Sequence, residues 1–312
     1  MNFAQAKRVI IDFIKYKYML LVRREITLTL NGGLGDVVLD TQFFYKIKQK
    51  YPNKRLIVYF RDNIDEPNKE NFSWGKTRHY QDVNGALINP IVEWLEQVKS
   101  VGFIDDYIGT NIDIRTYGVR VFPEYFNHFF EGYLTPKEYK SKILNPILSN
   151  YGLKNYKETS QIAEFKKSGK KIISLHLRRN SSKILDIAAS CDNENTLFIL
   201  LGATEHQVIP RINLINTISL IDSYSKNLGL LDVLCISFKS DLFIGGRGGF
   251  ELCHWLNCTP SLNVFDQMGF QEIKQGWWDP ALWKENPINR LFSDQEDVSE
   301  IKNYLLQQEI CQ

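Results

Sequence analysis

A chain of 312 residues is too long for one small domain and fits two domains of about 150 each. At 44% hydrophobic and 24% charged it holds ample apolar material for cores, which excludes a wholly disordered or collagenous chain. The net charge of +2 gives no global case for nucleic acid, and no apolar run approaches the ~18–20 residues that cross a bilayer. The five cysteines, Cys191, Cys235, Cys253, Cys258 and Cys311, are an odd set without a Cys-x-x-Cys pair. Neither a disulfide scaffold nor a zinc ribbon is expected of them. The start, Met1-Asn-Phe-Ala-Gln-Ala-Lys7, lacks the features of a secretory signal, so the expected home is a reducing cytoplasm.

Residues 1–24 carry Lys7, Arg8, Lys15, Lys17, Arg23 and Arg24 against one acid, Asp12. Val9/Ile10 and Phe13/Ile14 stand at helical spacing, with Leu20/Leu21 further on. Such a basic amphipathic helix suits peripheral contact with an anionic membrane on its inner face. It also suits a helix covering one side of the first domain, the reading that Lys17 favours by interrupting the stripe.

From residue 25 the pattern becomes strand, glycine loop, helix and strand. Ile26–Leu30 is β-branched and apolar, Asn31-Gly-Gly-Leu-Gly-Asp36 is a turn, and Val37–Lys50 reads as a helix stopped by Tyr51-Pro52. Arg55–Phe60 is the next strand, completing a βαβ unit and implying a parallel sheet. Residues 61–150 are aromatic-rich, with helices expected near 88–99 and 136–150 and no strand order assignable. Tyr151–Lys170 is polar, lysine-rich and the expected linker. After it come strands at 171–177, 196–201, 217–221, 240–244 and 261–265, with helices at 228–239, 250–256 and 294–309. The expected organisation is a basic helix at 1–24, a Rossmann-like domain at 25–155, a second Rossmann-like domain at 165–290 and a terminal helix at 291–312. The fold class is α/β, with parallel sheets in two domains facing a cleft.

Three motifs could carry chemistry. In the first, Gly33 and Gly35 precede a helix whose positive end lets a ligand reach backbone N–H groups. The third glycine of a dinucleotide fingerprint is missing, which weakens a dehydrogenase reading. Asp36 either stabilises the helix start or serves as a general base. In the second, Ser174, His176 and Arg178 alternate onto one face of a strand end, and Arg178 and Arg179 suit a diphosphate. A surface arginine pair beside a core histidine is the plainer alternative.

The third motif sets Gly245, Gly246, Arg247, Gly248 and Gly249 between a strand and a helix, a phosphate cradle. Glu251 and His254 share one side of that helix, where Glu251 can accept ribose hydroxyls or merely cap the helix. No Asp-x-Asp occurs, so no metal–diphosphate clamp is expected, and neither His-Glu-x-x-His nor Gly-x-Ser-x-Gly is present.

Together these motifs resemble GT-B-type glycosyltransferases, in particular the bacterial heptosyltransferase-like group that builds lipopolysaccharide. Gly35-Asp36-Val37-Val38-Leu39 and Tyr51-Pro52-Asn53-Lys54-Arg55-Leu56 fit the opening pattern of that family, and Asp241–Phe265 fits its C-terminal signature. Where the family has Asp-Ser-Gly and a following histidine, this chain has Arg247, Gly248, Gly249 and Leu252, with His254 shifted by two. His176-Leu-Arg178-Arg179 is also similar to a motif of bacterial fucosyltransferases, whose arginine is implicated in binding the donor diphosphate.

The resemblance implies a metal-independent, inverting transfer of a sugar from a nucleotide-activated donor to a surface-glycan or lipid-linked glycan acceptor. No cofactor is implied; Asp36 would be the base, and the second and third motifs would hold the donor. The alternatives are a sugar-nucleotide epimerase-like enzyme on the same fold, or a catalytically dead nucleotide- or glycan-binding module.

Overall fold

A computed structural model describes residues 3–30, 33–61, 80–110, 119–120, 132–152, 157–177, 181–202, 211–246, 248–265, 290–293 and 297–307. The chain divides into two compact units, one of Met1–Leu134 with Ser141–Tyr151, the other of Thr135–Lys140 with Gly152–Gln312.

The first unit opens with helix α1 (Phe3–Val22) and strand β1 (Glu25–Leu30), followed by α2 (Leu34–Lys50) and β2 (Arg55–Arg61). A two-stranded antiparallel hairpin, β3 (Tyr80–Gln81) with β4 (Leu87–Ile88), leads to α3 (Pro90–Ser100), β5 (Asp106–Thr110) and β6 (Val119–Arg120). Its main sheet is parallel throughout, in the order β5-β2-β1-β6. β1 pairs with β2 along its whole length, from Glu25 opposite Arg55 to Leu30 opposite Phe60. That register is what a helical crossover between two parallel strands requires.

The crossover, α2, starts one turn earlier than its apolar pattern suggests, because the turn before it caps it. It is buried almost all round from Val37 to Phe44. Two polar side chains inside that run are satisfied by bonds that fix the helix in place. Thr41 Oγ1 accepts from Trp94 Nε1 at 2.9 Å, which ties α2 to α3, and Gln42 Oε1 accepts from Leu134 N–H at 2.8 Å. Trp94 itself is fully buried. An unmade bond at such a site would cost about 1–3 kcal/mol, so α2 is held rigidly behind its first turn.

At the junction of the units the chain runs through α4 (Pro136–Tyr139), a π-helical turn (Lys140–Leu144) and α5 (Asn145–Tyr151). The second unit continues with α6 (Lys157–Lys167), β7 (Lys171–His176), α7 (Ser181–Ala189), β8 (Thr196–Leu201) and β9 (Thr217–Ser219). It ends with α8 (Leu230–Ser237), β10 (Leu242–Gly245), α9 (Gly249–Leu256), β11 (Ser261–Phe265), β12 (Arg290–Ser293) and α10 (Val298–Gln307). Its six strands are all parallel, ordered β12-β11-β10-β7-β8-β9.

Both faces of this sheet are covered. Ile173, Leu175, Ile244 and Val264 pack with Ile184 and Ile187 of α7 and Ile301 and Leu305 of α10. On the other face Ile172, Ile199 and Phe243 pack with Ile162 of α6 and Val233 and Ile236 of α8. Strands buried on both faces read as continuous apolar runs, and for that reason β7 and β8 are plain in the sequence.

Four features differ from the sequence reading. The expected linker contains α6, whose Ile162 is buried in the second unit's core. α7 is absent from the expected elements; it is only nine residues long, although Ile184, Ile187 and Ala188 carry helical spacing. Residues 291–293, assigned to the terminal helix, belong to β12, and within the described residues that helix covers Val298–Gln307. Cys191 is disulfide-bonded, although no disulfide scaffold is expected from the cysteine pattern.

Candidate functional site

Among the described strands the order reverses once in each unit. Taken in chain order, the six-stranded sheet reads 6-5-4-1-2-3, so its reversal falls between β7 and β10. The four-stranded sheet reverses between β1 and β6. In open α/β sheets, ligands bind outside the carboxyl ends of the strands at such a point.

At the second unit's reversal, β7 ends at His176 and β10 ends at Gly245, directly opposite each other. Asn263 of β11 lies opposite Gly245 on its other side, so three residues form one row across adjacent strands. His176 is 4% exposed, with its ring edge-on to Phe250 at 5.2 Å. A Cβ on Gly245 would lie 2.6 Å from Phe243 Cζ and 3.0 Å from His176 Cβ. Only glycine lets the Phe243 ring fold over the strand end.

The loop from Gly246 reaches α9 through Gly248, whose N–H donates to Glu251 Oε2 at 3.1 Å. The first turn of α9 is therefore closed by its own carboxylate, and Glu251 is buried. His254, one turn further on, is fully buried. It stacks on Phe243 with centroids 4.2 Å apart, and its Nδ1 lies 2.7 Å from the Phe250 carbonyl oxygen. Burial pulls its pKa down to about 4, against the pull of nearby carbonyls, so the ring is neutral at pH 7. His254 thus builds the aromatic floor beneath His176 and Phe250.

Asn263 went unnoticed in the sequence. It is fully buried, and neither its Oδ1 nor its Nδ2 has a partner among the described residues. The signal was a polar residue between Leu262 and Val264 in a strand otherwise buried on both faces.

At the first unit's reversal, Gly33 caps α2 with φ −76° and ψ −177°, an extended conformation open to any residue. A Cβ there would meet nothing within 4 Å. Gly35 and Asp36 follow in the first turn, and Asp36 Oδ2 accepts from Gly33 N–H at 2.9 Å while the residue remains exposed. Asp40, one turn on, was also missed: it is 5% exposed, and burial, then the charge of Asp36, pushes its pKa well up.

The structure brings His176, Gly245, Gly246, Gly248, Gly249 and Glu251 to one sheet edge, with His254 behind them. Gly33, Gly35 and Asp36 stand together at the start of α2. Arg178, Arg179 and Arg247 lie outside the described residues. Among the described residues no group of three metal-ligating side chains comes together, and no helix is long and apolar enough to cross a membrane.

No family model matches the sequence, and no curated protein does. Among solved structures, the chain is similar to a glycosyl transferase family 9 protein from Veillonella parvula DSM 2008. That likeness has 13% identity and a TM-score of 0.43, covering 92% of this chain and 90% of the other. A wall teichoic acid polymerase, TagF, matches with 12% identity and a TM-score of 0.29 over 97% of this chain and 85% of that one. Likenesses this distant carry no weight in assigning a function.

Proposed function

We propose that the protein is a glycosyltransferase, moving a sugar from a nucleotide-activated donor to a bacterial surface-glycan or lipid-linked glycan acceptor with inversion and without a metal. The observation that carries the reading is the pair of strand-order reversals, each followed by a glycine-capped helix with an acid in its first turn. The motif resemblance supplies the reaction. The second unit would hold the donor, with the start of α9 and Arg178, Arg179 and Arg247 facing the diphosphate. His176 and Glu251 would border the ribose.

In the reaction, an acceptor hydroxyl oxygen attacks the anomeric carbon as the bond from that carbon to the phosphate oxygen breaks. The hydroxyl proton passes to the Asp36 carboxylate, and the diphosphate departs with the bonding electrons. Asp36 suits the role because it is exposed at a fixed helix start, whereas Glu251 is buried.

The test is a thermal-shift series with the nucleoside diphosphates of uracil, guanine, cytosine and adenine. A ligand at 100 times its Kd stabilises by about 2.7 kcal/mol. One diphosphate should raise the Tm, and Arg178→Ala or Arg179→Ala should shrink the shift. If none of the four raises the Tm, the donor site assigned to the second unit is wrong.

A further inference from the structure

The helix α1 docks by one side only. Tyr16 and Met19 are buried, and the helix lies against β1 and β6. Met19 Sδ accepts from Thr27 Oγ1 at 3.3 Å, and Lys54 Nζ donates to the Arg23 carbonyl at 2.6 Å. The opposite side is apolar and bare. Ile10 is 58% exposed, Ile14 60%, Leu21 82% and Val22 64%, and Ile11 and Tyr18 are exposed beside them. Seven of the twelve exposed large hydrophobic side chains among the described residues lie on this one helix. At about 100° per residue, those six residues fall within one arc of roughly 120°, opposite Tyr16 and Met19.

Charge frames the arc. Lys17 and Lys15 border it on either side, Lys7 stands at its N-terminal end, and Arg23 and Arg24 follow the helix; all five are exposed. A soluble surface seldom leaves so many large apolar side chains contiguous unless something covers them. A second copy of the chain is a poor cover, since pairing through this face would set six basic residues and one acid against the same set.

We infer that the exposed face of α1 is a docking surface for an anionic lipid bilayer, lying in the headgroup plane with its apolar arc inserted. Such helices sink about 5–10 Å into the boundary between headgroups and acyl chains. The lysines bordering the arc would then stand level with the lipid phosphates. The interruption by Lys17 becomes the edge of the inserted face rather than a break in a core-facing stripe. Two signals act together, apolar insertion and charge, and a helix with only one of them binds weakly. The inference rests on α1 alone and stands whether or not the protein transfers sugar.

The experiment is flotation of the full chain with vesicles of phosphatidylcholine alone and of phosphatidylcholine mixed with phosphatidylglycerol. The protein should float with the anionic vesicles and stay behind with the neutral ones. Raising salt from about 0.05 to about 0.5 M should release it. Lys15→Gln or Lys17→Gln should weaken binding about fivefold each, and the double change about 25-fold. Leu21→Glu with Ile14→Glu should abolish flotation while leaving the Tm unchanged, because both side chains point away from the buried Tyr16 and Met19. Equal flotation with both vesicle types would overturn the inference. So would a dimer in solution that Leu21→Glu dissolves, which would make the face a contact between copies.

Discussion

Among the described residues three helices begin on a glycine tied to an acid of their own first turn, and the differences among them separate structure from chemistry. Gly33 before α2, Gly229 before α8 and Gly248 before α9 each donate their N–H to the carboxylate three residues on: Asp36 at 2.9 Å, Asp232 at 3.0 Å and Glu251 at 3.1 Å. The local device is one and the same, a first turn closed by its own acid. It is a helix start before it is anything else. Asp232 and Glu251 are buried, and Asp36 is exposed. The capping role alone therefore cannot mark a catalytic acid, and what sets Asp36 apart from the other two is its access from solvent. The two sites differ in packing too, since a side chain on Gly245, at the end of β10, collides with Phe243 and His176 while one on the capping Gly33 meets open space. The second unit's strand end is packed from within, whereas the first unit's helix start is bare.

That contrast can be broken by four measurements. The largest stability effect belongs to His254, the buried base of the second unit. Its folded pKa of about 4 lies below the usual 6.5, so the unfolded chain takes up the proton first as pH falls. Stability should be constant above about pH 6.5 and decline by about 3 kcal/mol down to about pH 4. In His254→Phe, urea unfolding across that range should lose most of this decline. A wild-type curve flat from pH 7 to 4 would contradict the buried, neutral ring.

Next comes Gly245→Ala, which forces a methyl group against Phe243 and His176 and should cost about 1–3 kcal/mol in urea unfolding. The opposite sign belongs to Asp40, whose carboxyl is buried and pushed up. The unfolded chain releases that proton near the ordinary carboxylate value and the folded one only at higher pH, so Asp40 destabilises the fold as pH rises between the two. Asp40→Asn should raise stability at pH 7 by about 0.5–2 kcal/mol and flatten that part of the profile. The smallest effect is expected at Gly33→Ala, within about 0.5 kcal/mol of wild type. A loss there equal to that of Gly245→Ala would erase the difference between a packed strand end and an open helix start.

Much of the second unit was legible because parallel strands buried on both faces leave unbroken apolar runs. Leu197–Leu201 announces itself in this way, and within Ile172–Leu175 and Leu262–Phe265 only Ser174 and Asn263 break the run. His176 and Gly245 were each legible as strand-end residues, from alternation and from glycines at a strand end, but only the register between β7 and β10 sets them side by side. Asn263 was not, because only the register between β10 and β11 brings it beside Gly245. Asp40 was hidden for a related reason. α2 is buried nearly all round, so its periodicity does not say which polar residue faces the core. β5 and β6 are short, and only partners distant in sequence, β2 and β1, define them. α7 and α6 are not legible because nine residues, or a lysine-rich eleven, carry little periodic signal alone.

The central claim is that Asp36, alone among the three capping acids, does chemistry. With the donor found from the thermal-shift series, the measurement is turnover of Asp36→Asn beside that of Asp232→Asn, with the Tm and donor affinity of each. Asn retains the size of Asp and part of its hydrogen bonding, so Asp36→Asn should keep its Tm within a few degrees and bind donor normally. Its turnover should fall by roughly 10²–10⁴-fold, the range for a lost general base. Asp232→Asn should cost stability, about 1 kcal/mol for a weakened cap, and leave turnover of the folded enzyme near wild type. Near-normal turnover of Asp36→Asn would contradict the account and leave Asp36 a helix cap like the other two.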